Sequence, residues 1–276
     1  MTLLWFVLFF TALLLAVAGW LIGPPLWRRL RRARVRRQPF PATWRDVLRR
    51  RMPAFALLPA SLQLQLKKQV QVLLSEIPFI GCAGLQITDE MRVLIAAQAG
   101  LLLLNRRNGG FDRLRQVLVY PGAFVVQRSE SDGFGLARDS RRALAGESWQ
   151  HGQVVLSWSD VLAGADDPGD GHNVVIHEFA HQLDQESGPA NGAPWLGRRE
   201  RYARWAHVMG DEFAALQQRL TQGVAGLIDA YAATDPAEFF AVVSEHFFEQ
   251  PAQLAAAHPA LYAEFARYYR VNPLSW

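Results

Sequence analysis

The stretch Val174–Asp184, VVIHEFAHQLD, constrains this chain more than any other. His177 and His181 stand four residues apart, which on a helix of 3.6 residues per turn stacks them on one face. Two neutral imidazoles so placed can bind one zinc ion, and Glu178, beside the first, can reach a water at that ion. Val174, Val175, Ile176, Phe179, Ala180 and Leu183 are uncharged, as expected for a metal helix crossing a dry interior. The plainer alternative is an amphipathic helix whose histidines are ordinary surface or core residues, and these flanks weigh against it.

A chain of 276 residues has ample apolar material for a core around such a helix. Its single cysteine, Cys82, excludes an internal disulfide and any multi-cysteine zinc site, and nothing beside it activates a thiolate. The N-terminus is of another kind. Residues 3–22 carry no charge and are long enough to span a bilayer as one helix, which Pro24 and Pro25 are expected to end. Seven arginines follow between Arg28 and Arg37, and no cation precedes the run. That order places the C-terminal side in the cytoplasm. A cleaved signal peptide would use Ala16-Val17-Ala18, but its charge order would be the reverse of this one. The expected location is therefore the bacterial inner membrane, single-pass, with lipid contacted through residues 3–22 and the arginine run.

From Arg28 to Arg51 there are eleven arginines against one acid, Asp46, a net charge of +10. The whole chain carries +4, so everything else carries −6. No nucleic-acid partner is expected for the main domain.

Beyond a linker with Pro39 and Pro41, Ser61 reads as the cap of a helix carrying Leu66, Val70, Leu73 and Ile77. Pro78 to Gly84 reads as a loop. Thr88 caps a second helix whose apolar half, 93–104, is too short for a membrane and suits a buried position. Val117–Gln127, interrupted by Pro121-Gly122, and Val154–Trp158 read as strands. One of the two would lie beside the metal helix and offer its edge to an extended substrate. Asp166–Gly171 and Ser187–Gly192 are turns, and helices are expected over 198–221, 236–249 and 259–270.

Two histidines leave a catalytic zinc short of a third protein ligand. A histidine ten residues after the first, with glycine at the seventh, is excluded because Ser187 and Asp184 hold those places. Glu238, one turn into a helix opened by Pro236 and flanked by Phe239, Phe240, Val242 and Val243, is a candidate. It reads equally as a first-turn glutamate favoured by the helix dipole.

The segments DEMRVLIAAQAGLLLLN, VLVYPGAFVV, GESW, VVLSW, DGHNVVIHEFAHQLD and YAATDPAEFFAVVSEHFFEQP resemble the Mlc titration factor A family of zinc peptidases, over about residues 55–272. The metal region also resembles the peptidase domain of anthrax lethal factor, with Tyr231 seven residues before Glu238. The resemblance implies His177, His181 and Glu238 as zinc ligands, Glu178 as the catalytic glutamate and Tyr231 as an active-site phenol. It implies aminopeptidase-like activity on a peptide or protein substrate, with a transcriptional repressor as a possible partner in a rival, binding role. The fold expected is α+β and mostly helical. A membrane helix (1–25) and an arginine-rich linker (26–52) precede a zincin-like domain (53–276) with a small sheet beside the metal helix.

Asp184 and Glu245 are read as acceptors from a ligand imidazole, or, for Asp184, as an exposed helix-end aspartate. His172 and Asn173 stand where they can cap the metal helix, and His246 reads as structural. His151, His207 and His258 read as ordinary, and Trp149, Trp158 and Trp195 as core or loop anchors.

Overall fold

A computed structural model describes residues 2–106, 110–122, 124–131, 137–144, 146–149, 152–186 and 188–276, with backbone alone for 2–3 and 124–149. Residues 1–40 form one compact unit and 41–276 a second. The first is dominated by one helix, α1 (Thr2–Arg36), long and apolar enough to cross a membrane. Pro24 and Pro25 do not end it, contrary to expectation. Each removes one amide donor, but in an apolar phase an interrupted helix would expose more unbonded groups than the two that proline deletes. Its 35 residues make a rod of about 52 Å at 1.5 Å per residue, longer than a ~30 Å hydrocarbon layer. The excess carries the arginines.

The second unit begins at Pro41, inside what sequence alone assigned to a linker. α2 (Ala42–Arg51) buries Val47 and Leu48, and α3 (Pro53–Leu57) buries Phe55. α4 (Ala60–Glu76) starts two residues earlier than expected, with Pro59 rather than Ser61 at the position before its first turn and no side chain capping it. The expected loop after it contains a three-residue strand, β1 (Phe79–Gly81). α5 (Asp89–Leu101) does start at Thr88, whose hydroxyl accepts from the Met91 amide. Residues 93–104 are buried, and α5 packs against α2 and α4.

Next come β2 (Gln116–Tyr120), β3 (Phe124–Ser131), β4 (Ala137–Leu144), β5 (Gly146–Trp149) and β6 (Gln153–Ser157). β3 and β4 form their own antiparallel pair. The others make a sheet ordered β1-β2-β6-β5, parallel except for β5, which runs antiparallel to β6 at the edge. Val117, Val119, Val154 and Leu156 are fully buried.

Trp158, read as the end of a strand, instead opens α6 (Trp158–Asp166), because the Ser157 hydroxyl accepts from the Asp160 amide. The metal helix is α7 (Val174–Asp184), followed by α8 (Arg199–Thr221), α9 (Pro236–Glu249), α10 (Pro251–Ala257) and α11 (Pro259–Tyr269). α10 was not anticipated; Pro251 and Pro259 each start a new helix where one continuous stretch would otherwise run. α7 packs on β5, β6, α5 and, most extensively, α9. The strand beside the metal helix is thus chiefly β5, the GESW segment, and not the 117–127 stretch.

Candidate metal centre

α7 is set by its entry. Asn173 accepts from the Ile176 amide at 3.0 Å, so the helix begins where the His177 side chain can turn inward. α9 is set likewise: Asp235 accepts from the Ala237 and Glu238 amides at 2.8 and 3.0 Å, with Pro236 in the first turn. The two caps fix the helix ends from which His177 and Glu238 meet.

They meet closely. His177 Nε2 lies 3.2 Å from His181 Nε2 and 3.0 Å from Glu238 Oε2, and His181 Nε2 lies 3.4 Å from the same carboxylate oxygen. A tetrahedral ion with bonds of about 2.0–2.1 Å keeps its ligand atoms about 3.3–3.4 Å apart, so this triangle has the size of one face of such a polyhedron. Two imidazoles and a carboxylate also form a donor set used by catalytic zinc. His177, His181 and Glu238 therefore fit a metal ion.

The charges agree. Burial alone would favour a neutral His177, but the carboxylates of Glu245, Glu238 and Glu178 outweigh it and hold the ring well above the usual histidine range. Burial would raise Glu238, yet hydrogen bonds from His177 and His181 hold it well below the usual carboxylate range. A proton bridges negative charge that a divalent cation could answer in its place.

Glu245 accepts from His177 Nδ1 at 2.7 Å and from the Asn173 amide at 2.5 Å. With Nδ1 engaged there, Nε2 is the ring atom left to face the other two donors, and it could bind an ion once it gives up its proton. Asp184 does neither thing expected of it. It is fully buried, and its Oδ2 accepts from the Asn191 and Gly192 amides at 2.8 and 2.7 Å, tying the following loop to the metal helix. Gly192 (φ +74°) lies so close to Pro236 that a Cβ would sit 2.3 Å from that carbonyl oxygen. One loop is thus seated against both helices that carry the candidate ligands.

Glu178 is buried, and Tyr231, in a 3-10 turn at Ala230–Ala233, is 38% exposed with its ring 6.0 Å from that of His177. Sequence reasoning missed Glu249. It accepts from Asn173 Nδ2 at 2.9 Å, and burial pushes it up to about 8. The signal was present: residues 238, 245 and 249 fall on one stripe of an otherwise apolar helix. His246, buried, bonds Gln250, while His207 and His258 pair with Asp211 and Glu212 away from the centre. His172 is exposed, its amide bonded to Asp170. His151 and Ser187 lie outside the described residues, and Trp149 is described by its backbone alone. Trp195 is no core anchor, being 46% exposed.

The model of a family described as glucose-regulated metallo-peptidase M90 matches residues 27–270. An uncharacterized protein of Synechocystis sp. is 39% identical over 263 residues, 95% of this chain and 96% of that protein. Proteins named Mlc titration factor A from Yersinia pestis and Yersinia pseudotuberculosis are 36% identical over 237 residues, 85% of this chain and 86% of each.

Proposed function

This chain belongs to the glucose-regulated metallo-peptidase family M90, and from that premise we propose that it is a zinc-dependent peptidase tethered to the bacterial inner membrane and facing the cytoplasm. The observation that carries the reading is the triangle of donor atoms from His177, His181 and Glu238, with edges of 3.0–3.4 Å. Held by His177, His181 and Glu238, zinc would supply Lewis acidity and lower the pKa of a water toward neutrality.

The chain's own residues do the rest. Glu178 takes a proton from the attacking water and returns it to the leaving amine. Tyr231, at the exposed lip beside His177, donates its phenol proton to the oxygen on which negative charge develops. Glu245 keeps His177 in the tautomer that leaves Nε2 bare, and Asp184 keeps the loop in place behind α7. An extended peptide is read along β5, the sheet edge against which α7 packs. We place cleavage near the amino terminus of small peptides. α1 crosses the membrane once, and its arginine-bearing end meets anionic headgroups on the cytoplasmic side.

A second reading, that the chain sequesters a transcriptional repressor, rests on the name borne by the Yersinia relatives, Mlc titration factor A. The two separate in one experiment. Full-length protein in detergent, with zinc, should cleave a peptide library, and Glu178→Gln should retain about one zinc per chain and cleave nothing. A parent protein that binds zinc and cleaves no peptide would leave only the binding role. Zinc retained as before in His177→Ala would remove the metal site itself.

A further inference from the structure

A cavity of about 510 Å³ lies between α8, α11 and the loop that joins α7 to α8, and its lining contains none of the proposed zinc ligands or catalytic residues. Its size falls in the range of small-molecule sites, roughly 300–1,000 Å³. Five arginines line it: Arg106, Arg201, Arg204, Arg267 and Arg270. Such a gathering needs negative charge, and the protein supplies only part of it. Glu186 answers Arg106 at 2.8 Å. Glu264, 4% exposed, is shared between Arg204 at 2.6 Å and Arg267. The Arg201 guanidinium donates to the Leu196 carbonyl at 3.3 Å, and among the described residues no carboxylate pairs with Arg201 or Arg270. Among the described residues two carboxylates thus pair with three of the five guanidiniums. This excess sits in a chain whose charge outside residues 28–51 is −6, so a generally basic surface does not account for it.

The walls specify the ligand further. Trp205, 2% exposed, forms the floor, its indole N–H fixed on the Gly192 carbonyl at 2.8 Å. Trp195 stands in the lining with 46% of its surface open to solvent. Planar guanidiniums pair with phosphate oxygens in a fork, and an open indole stacks on a ring. We propose that this cavity is a binding site for a small organic phosphate whose phosphate is held by Arg201 and Arg270 and whose ring lies on Trp195. The site is independent of the zinc reading, since no ligand of the metal centre lines it.

Titration calorimetry on the full-length protein in detergent tests this, with adenosine 5′-monophosphate as probe and inorganic phosphate, adenosine and monomeric dihexanoyl-phosphatidylglycerol as further arms. The expected result is one saturable site for the nucleotide, at least tenfold tighter than for any other arm and weakened by salt. The double variant Arg201→Gln/Arg270→Gln should lose tenfold or more in affinity while keeping the parent's zinc content and melting temperature. Both side chains are exposed and neither belongs to the metal centre. Glu264→Gln, which releases Arg204 and Arg267, should bind the nucleotide several-fold more tightly. Parent-like affinity in the double variant overturns the proposal, as does the absence of saturable binding up to about 10 mM probe. Inorganic phosphate binding as tightly as the nucleotide overturns the stacking on Trp195. Tighter binding of the phosphatidylglycerol overturns the soluble source.

Discussion

Glu245→Gln tests the centre with a change of one atom. Glu245 accepts two hydrogen bonds, from His177 Nδ1 at 2.7 Å and from the Asn173 amide at 2.5 Å. Glutamine has one acceptor oxygen, and its NH₂ must face the other donor. Turned toward Asn173, the amide opposes the N–H at the entry of α7. Turned toward His177, it accepts nothing from Nδ1 and drives the ring proton to Nε2, the atom proposed to bind the metal. Either way one hydrogen bond to a charged group is lost, a loss of about 1.5–3 kcal/mol. Changes to residues that orient a ligand histidine weaken metal binding by roughly 10–100-fold. At about 1.4 kcal/mol per decade that range is about 1.4–2.8 kcal/mol, so the two routes agree. The zinc dissociation constant, measured by competition with a chromogenic chelator, should rise by that factor. The metal-free melting temperature, followed by circular dichroism, distinguishes a positioning role from a general loss of structure. A folded variant that binds zinc within about twofold of the parent would refute the positioning role.

Tyr231→Phe should keep zinc and lower kcat by roughly 10²–10³-fold with little change in KM, since its phenol acts only on the developing charge; parent-like kcat would reduce it to packing. Glu249, raised from 4.5 to about 8 by burial, contributes stability that is complete below pH 4.5 and lost as pH rises toward 8. Glu249→Gln should therefore raise the melting temperature at pH 8 more than at pH 4.5, and equal shifts at both would show that the carboxyl does not titrate in that window. Alkaline phosphatase fused to the C-terminus should be inactive, and neutral residues in place of the seven arginines from Arg28 to Arg37 should weaken that orientation. An active fusion on the unaltered chain would place the peptidase domain outside the cytoplasm.

What could be read in the sequence was what repeats along the chain. α7 and α9 declared themselves through periodicity and caps, and Thr88 named the start of α5 correctly. β1 escaped because three residues make no pattern, and α6 because Trp158 was read as strand when the Ser157 hydroxyl, at the strand's last residue, caps a helix that starts there. Pro24 and Pro25 misled because a rule learned in water was applied to an apolar helix. At the centre, the triad lay in motifs, whereas Asp184 depended on amides seven and eight residues away and Glu249 on an asparagine 76 residues earlier. No local pattern carries such pairings.

Among the described strands β5 lies at the sheet edge and runs against its neighbour's direction, and a substrate read along it as proposed would have to be a chain already drawn out straight. A folded protein would then have to unravel its end before reaching the proposed centre, and a stable domain resists that with about 5–15 kcal/mol. Turnover of such a client would follow its unfolded population, on the order of 10⁻³–10⁻⁶ of molecules. An enzyme built this way has little need of an inhibitor to spare its neighbours in the cell. The foldedness of the client would set its lifetime, and a peptidase tethered as proposed could sit among intact membrane proteins while consuming only tails and fragments.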